Sequence, residues 1–130
     1  FLKRLGCFSI NQISPSLSVL RYAVNLIVNK EQLVVFPEGR INKYGRQIPL
    51  KEGLFRLAKL GLKKISPITI IPIGIAYSQV SPKFRSKVSL CFGEPLIIHD
   101  QIDLPINKFN EKLHKQMTIA ENEALKDVGR

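Results

Sequence analysis

The chain has 130 residues, a length that fits one domain with a core of its own. Its 20 Lys and Arg against 10 Asp and Glu give a net charge of +10, which favours anionic partners: phospholipid head groups, substrate phosphates or nucleic acid. No stretch approaches about 18 consecutive apolar residues, which excludes a membrane-spanning helix. Because the sequence begins at Phe1 without a secretory leader, we expect an N-terminal part of the domain to be missing.

The first half of the sequence predicts strands alternating with helices. Gly6–Asn11 has the aromatic and β-branched content of a short strand. Apolar residues at three- and four-residue spacing predict a helix over 16–29, with Ser14-Pro15 as its N-terminal signal. The apolar run 32–36 stops at Pro37-Glu38-Gly39, a pattern typical of a buried parallel strand that ends in a loop.

The second half continues the alternation. In chain order it predicts a helix at 51–62, a strand at 69–77, a polar basic loop at 81–87, strands at 88–92 and 94–98, and a helix at 107–127. Strands alternating with helices predict an α/β fold, with a largely parallel sheet flanked by helices.

The two cysteines are far apart in a chain without a leader, so free thiols are predicted rather than a disulfide. Cys7 and Cys91 each have apolar neighbours, which indicates small core residues.

Four short segments of the chain carry a resemblance to one enzyme family and stand in that family's order. Phe36-Pro37-Glu38-Gly39, followed at once by Arg40, resembles the third block, commonly F-P-E-G-T-R-S, of the glycerolipid (glycerol-phosphate) acyltransferase family. Upstream, 5–11 resembles the second block, a strand opened by a glycine. Downstream, 70–75 resembles the fourth block, which carries a proline, here Pro72, near the acyl-donor pocket, and 92–96 resembles a recurring F-G-x-P-I segment. The resemblance therefore covers Phe1 to about Ile98.

The resemblance implies that residues 1–130 are the C-terminal portion of a single phospholipid/glycerol acyltransferase domain. The reaction implied is transfer of a fatty acyl group from an acyl-CoA or acyl carrier protein thioester to a hydroxyl of lysophosphatidic acid or a related glycerolipid. Glycerol 3-phosphate, other lysolipids and a non-phosphorylated alcohol stay open as acceptors. No metal or cofactor is implied beyond that co-substrate. The protein is expected at an anionic membrane surface on the cytoplasmic face, without nucleic acid.

The same resemblance assigns substrate-binding roles to Phe36, Pro37, Glu38, Gly39 and Arg40. Arg40 would hold the acceptor phosphate, with Lys43 or Arg46 as substitutes. Gly39 lets the backbone approach the substrate closely, and Pro37 stiffens the turn. Glu38 would accept a hydrogen bond from a glycerol hydroxyl or anchor a basic neighbour.

Two departures from the family pattern stand out. The arginine that usually closes the second block is replaced by Asn11 and Gln12, which offer no charged fork to a phosphate. The first block, His-x-x-x-x-Asp, is absent: His99 and His114 have Leu104 and Ile119 where the aspartate belongs, and both are predicted to be surface residues. No catalytic residue is therefore assigned, and we expect the chain to be inactive alone.

Other interpretations remain open at this level. Pro-Glu-Gly is also ordinary turn chemistry, and Pro72 suits a strand edge or bulge. The stretch from Arg40 to Lys87 holds eleven basic residues and one acid, Glu52; it suits a solvated face, a membrane contact or a nucleic-acid-binding module. A non-catalytic lipid-binding pseudo-enzyme is the third class.

Overall fold

A computed structural model describes residues 1–11, 14–40, 48–99 and 105–130. These residues form two compact units, 1–65 and 66–130. The first unit contains a 3-10 helix, Leu2–Leu5, and helices α1, Leu17–Val28, and α2, Gly53–Leu62. The second contains strands β1, Ile68–Ile70, β2, Ile73–Tyr77, β3, Val88–Phe92, and β4, Leu96–Ile98, followed by helix α3, Ile106–Asp127.

Helices α1 and α2 pack together in the first unit and confirm both helices predicted there. Their contact is built from Ala23, Val24 and Leu57, with partly buried Ile27, Val28, Leu33 and Leu60 around it. The N-cap of α1 is Ser16 and not the predicted Ser14, because the Ser16 hydroxyl accepts the Val19 amide at 3.4 Å. The Ser14 amide donates instead to the Asn11 side chain at 3.3 Å.

The predicted strands 6–11 and 32–36 are not observed as strands. In the ranges that the structure describes, neither segment belongs to a sheet, although 32–36 stays outside any helix and exposes Phe36 at 69%. The sheets present are both antiparallel and two-stranded, so the predicted largely parallel sheet is not observed among the described residues. An apolar run fits a strand only where a neighbouring strand can supply hydrogen bonds, and sequence pattern does not reveal that neighbour.

The four strands of the second unit form a bent antiparallel hairpin. β1 pairs with β4 and β2 with β3, so the single strand predicted at 69–77 is split at Ile71-Pro72. Pro72 has no amide hydrogen to donate, but its carbonyl accepts the Gly93 amide at 2.9 Å. Residues 71–72 oppose residues 93–95 between the two ladders, which makes a bulge with one extra residue on the second side. The predicted strands 88–92 and 94–98 correspond to β3 and β4.

Helix α3 confirms the predicted last helix and covers one face of β2 and β3. The contact is made of small residues: Ala120 and Ala124 of α3 are fully buried, and Ala76 of β2 is almost so. A Cβ on Gly74 would come within 2.2 Å of the Ala120 backbone. The opposite face of the same two strands is exposed and apolar, and it consists of Ile73, Ile75, Tyr77, Val88, Leu90 and Phe92.

Candidate functional site

The five predicted site residues lie on one turn that follows the extended segment 32–36. The Gly39 amide donates to the Phe36 carbonyl at 3.1 Å, which closes the turn. Gly39 has a φ of +67°, a left-handed conformation that costs an L-residue roughly 1–2 kcal/mol. Glycine is therefore favoured at this position by the backbone conformation itself.

Exposure divides the turn into an anchored part and an accessible part. Pro37, Glu38 and Gly39 are half-buried, whereas the side chains of Phe36 and Arg40 are exposed. Arg40 can therefore present its guanidinium to an anion in solvent. Lys43 and Arg46, the proposed substitutes for Arg40, lie outside the described residues.

Lys51 completes the turn and was not singled out by the sequence. Its amide donates to the Pro37 carbonyl at 2.8 Å, and its side chain lies over Gly39. A Cβ on residue 39 would approach the Lys51 Cε to 3.1 Å, so the glycine also makes room for this stem. Lys51 adds a second cationic side chain to the same turn as Arg40.

A groove lies beside the second-block segment. It has a volume of about 370 Å³ and is lined by Lys3, Gly6, Cys7, Phe8, Ser9, Val19 and Tyr22. Phe8 and Tyr22 hold the segment against α1 through an edge-to-face contact, with ring centroids 5.1 Å apart. Lys3 is the cation in this lining. It supplies positive charge near a block that lacks its usual arginine, and no sequence pattern distinguishes it from the other lysines.

The two histidines lie in the second unit. His99 follows β4 and is exposed, as predicted, whereas His114 on α3 is half-buried. The His114 backbone carbonyl accepts the Thr118 hydroxyl at 2.8 Å, an ordinary helix interaction. Among the described ranges, no three His, Cys, Asp or Glu side chains are grouped as metal ligands would be.

Both cysteines are free thiols, as predicted. Cys7 is exposed, so the prediction of a core role was wrong for it: the segment 6–11 that carries it is not a buried strand. Cys91 is half-buried. Its thiol donates to the Asp127 carboxylate at 3.3 Å, and the Ser89 hydroxyl donates to the same carboxylate oxygen at 2.9 Å. Partial burial raises the pKa of Cys91; the Ser89 hydrogen bond lowers it, and Asp127 raises it further.

None of the described helices is both long enough and apolar enough to cross a membrane.

Comparison with known proteins places the turn and the groove within a family match. Residues 1–76 match the family described as Acyltransferase. Over 109 residues the chain is 26% identical to a 1-acyl-sn-glycerol-3-phosphate acyltransferase of Cocos nucifera, a match that covers 81% of this chain and 35% of that protein. The chain therefore spans little more than a third of this relative's length. No solved structure matches the chain.

The family match covers more than half of the chain. It includes the second-block groove, the Phe36–Arg40 turn and Lys51. This chain belongs to the acyltransferase family.

Proposed function

We propose that the protein containing this chain transfers a fatty acyl group from an acyl thioester to a hydroxyl of lysophosphatidic acid or a related glycerolipid. The observation that carries the proposal is the Phe36–Arg40 turn. It lies inside the family match, has a left-handed Gly39 with the Lys51 side chain over it, and presents an exposed Arg40. The coconut relative, whose name specifies a 1-acyl-glycerol-3-phosphate acceptor, favours a phosphorylated acceptor.

In this proposal the turn binds the acceptor phosphate. Arg40 offers a planar fork to two phosphate oxygens, and the Lys51 ammonium adds a point charge on the same turn. Lys3, in the groove of the second block, stands in for the arginine that Asn11 and Gln12 replace. Together the cations fix the glycerol so that its free hydroxyl is held against the thioester, which removes much of the entropic cost of bringing the two reactants together.

The remaining residues of the turn shape the site around the phosphate. Gly39 leaves room for the glycerol to approach the backbone, and Pro37 restricts the turn to one conformation. Glu38 accepts a hydrogen bond from a glycerol hydroxyl or holds one of the cations. The exposed ring of Phe36 gives the acyl chain of the lysolipid an apolar contact.

The catalytic base comes from outside this chain in the proposed mechanism. A His-x-x-x-x-Asp block preceding Phe1 removes the proton of the acceptor hydroxyl as its oxygen attacks the thioester carbonyl. The carbon–sulfur bond then breaks, and the thiol leaves with a proton returned by the histidine. A positioned base of this kind contributes about 10²–10⁴-fold to the rate. The thioester is acyl-CoA or an acylated carrier protein.

The fuller domain also completes the fold in this proposal. The exposed apolar segment 32–36 would pair with strands contributed by the preceding part of the protein and so become part of a largely parallel sheet flanked by helices. The enzyme would act at the cytoplasmic face of a membrane, where its lipid acceptor resides.

Thioester-consumption assays with lysophosphatidic acid and acyl-CoA, or an acylated carrier protein, test the function. The 130-residue chain should show no turnover, and a chain extended upstream through the His-x-x-x-x-Asp block should be active. If the 130-residue chain shows turnover and His99→Ala or His114→Ala abolishes it, the catalytic base is that histidine and not one upstream of Phe1. A full-length protein with no such block and no turnover would favour the alternative, a non-catalytic lipid-binding pseudo-enzyme. The loss of the second-block arginine, which Asn11 and Gln12 replace, is the observation that favours this alternative.

A further inference from the structure

The loop between β2 and β3 is held in a defined shape by its own hydrogen bonds. At its base the Ser78 amide donates to the Lys87 carbonyl at 2.9 Å, and the Lys87 amide donates to the Ser78 hydroxyl at 3.1 Å. At its tip the Ser86 amide donates to the Lys83 carbonyl at 3.0 Å, and the Lys83 amide donates to the Ser86 hydroxyl at 2.8 Å. The tip, Lys83–Ser86, is therefore a closed turn rather than a loose segment.

This turn displays an aromatic ring to solvent. Phe84, at its tip, is 92% exposed, and Val80 earlier in the loop is also exposed. The Arg85 guanidinium lies 5.6 Å from the centre of the Phe84 ring, within the range of a cation–π contact. Arg85 has a φ of +67°, an uncommon conformation for a residue with a side chain. The Phe84 ring therefore adds little buried area to its own unit, and the ordered turn holds it together with Val80 where an external partner can reach both.

The charge of the loop defines what that partner is. Lys83 and Arg85 flank Phe84 in the sequence, Lys87 follows at the base of the loop, and the sequence has no Asp or Glu from Ser66 to Gly93. A second copy of the same turn would be repelled by this uncompensated charge. An anionic surface with an apolar interior matches both features, since cations bind its head groups while the ring enters the acyl region.

We propose that the loop 78–87 is a membrane contact. Phe84, assisted by Val80, inserts at the boundary between head groups and acyl chains of an anionic bilayer, and Lys83, Arg85 and Lys87 bind the lipid phosphates. The choice of a lipid surface rests on the proposed function, which places the acceptor in a bilayer. The choice of residues rests on the exposure, charge and hydrogen bonds of the loop.

Tryptophan fluorescence tests the insertion directly, because the chain contains no Trp. The single tryptophan of Phe84→Trp should shift its emission to shorter wavelength with vesicles of phosphatidylcholine and phosphatidylserine, and brominated acyl chains should quench it. Phe92→Trp is the matched control: this exposed phenylalanine belongs to the same unit but lies on the sheet face. A shift and quenching at residue 92 and not at residue 84, or at neither residue, would overturn the proposal.

Charge substitutions test the head-group contact. Lys83→Gln with Lys87→Gln should weaken co-sedimentation with anionic vesicles by about ten- to thirtyfold. Lys108→Gln with Lys112→Gln removes the same charge from exposed positions of α3 and should change binding little. If the two double substitutions weaken vesicle binding equally, net charge alone explains the binding and the specific role of the turn is wrong. Binding to a DNA duplex through Lys83 and Lys87 that is as tight as binding to the vesicles would also overturn the proposal.

Two further results separate this inference from the proposed function. If the upstream-extended protein is active in detergent micelles but binds vesicles equally well with Phe84→Ser, the function stands and the membrane contact is wrong. If the extended protein is inactive but Phe84→Ser releases it from vesicles, the contact stands and the acyltransferase proposal is wrong.

Discussion

At Gly39 the chain enters a left-handed backbone conformation one residue before Arg40, and this geometry gives the turn its proposed chemistry. The reversal leaves Arg40 exposed, while the bond between the Pro37 carbonyl and the Lys51 amide holds the other end of the turn. A cation on a fixed turn loses less side-chain and backbone freedom when it binds a phosphate than one on a free loop.

We predict that Arg40→Ala weakens acceptor use in the upstream-extended enzyme. Removal of one charge-assisted contact to the phosphate should cost roughly 1.5–3 kcal/mol, or about ten- to a hundredfold in kcat/KM. Steady-state kinetics with varied lysophosphatidic acid measure the loss, and the KM of the acyl donor should scarcely change.

Arg56→Ala is the matched control for Arg40→Ala, because Arg56 is an exposed arginine of the same unit whose pair with Glu52, at 2.9 Å, lies on the surface of α2. It should leave acceptor kinetics intact. If Arg40→Ala has no effect and Lys51→Met, Lys43→Ala or Arg46→Ala does, the turn is still the site but another cation binds the phosphate. If none of them matters, the phosphate is bound elsewhere.

The sequence could predict the five contiguous residues of the turn, because adjacency along the chain fixes their proximity. It could not predict Lys51. That contact depends on where the chain returns after 41–47, and a single lysine before a helix has no distinguishing pattern. Lys3 was missed for a similar reason, because the groove beside it exists only where the segment 6–11 packs against α1.

The environment of Cys91 leads to a prediction about thiol reactivity. Burial raises its pKa, and Asp127 raises it further because a carboxylate opposes a nearby thiolate and accepts a hydrogen bond from the thiol. The thiolate is the reacting form, so Asp127→Asn should lower the pKa of Cys91 and accelerate its alkylation by iodoacetamide near pH 8.

Peptide-level mass spectrometry can follow the alkylation of Cys91 separately from that of Cys7. Glu111→Gln, an exposed charge change near the other end of α3, is the control and should leave the rate unaltered. A slower reaction in Asp127→Asn would show that Asp127 promotes the thiolate, contrary to the geometry.

At the level of elements, helices were predicted well and strands less well. α1, α2 and α3 satisfy their backbone hydrogen bonds internally, so their own apolar periodicity is sufficient to indicate them. A strand requires a partner, and 32–36 has the composition of a strand without one in the described ranges. The split between β1 and β2 was foreseeable at Pro72, for which a bulge had been one interpretation. The role of Pro72 at an acyl-donor pocket stays a prediction.

Because β2 and α3 approach closely at Gly74, we predict that adding a single methyl group there lowers the free energy of unfolding strongly. Gly74→Ala would place a Cβ about 2.2 Å from the backbone of Ala120, and backbone cannot rotate away as a side chain can. The strand and the helix must then separate, at a cost of roughly 1–3 kcal/mol of unfolding free energy. Urea denaturation followed by circular dichroism measures it.

Gly53→Ala is the control for Gly74→Ala. Gly53 begins α2 and has open space where a Cβ would lie, so its substitution should leave stability unchanged or raise it by up to about 1 kcal/mol. If Gly74→Ala were as stable as Gly53→Ala, the close approach of β2 and α3 would be wrong.

Considered as a whole, the molecule carries its excess charge unevenly. Residues 1–65 hold 12 basic and 3 acidic side chains, whereas residues 66–130 hold 8 and 7. The first unit, which contains the candidate phosphate site, therefore carries nearly all of the net charge. This distribution favours the capture of an anionic substrate or surface over long range.

Our last prediction concerns that long-range attraction, which is distinct from insertion of the turn at 83–86. Binding of the chain to anionic vesicles should weaken steadily as added salt shortens the Debye length from about 30 to about 8 Å, and neutral vesicles should bind poorly throughout. Co-sedimentation at several salt concentrations measures this, with Phe84→Ser alongside the wild-type chain. If insertion and charge act separately, Phe84→Ser should bind more weakly than the wild type at every salt concentration but lose affinity with salt at the same slope. Equal, salt-insensitive binding to both lipid types would contradict the electrostatic account, and tighter salt-dependent binding to DNA than to lipid would favour the nucleic-acid-binding class instead.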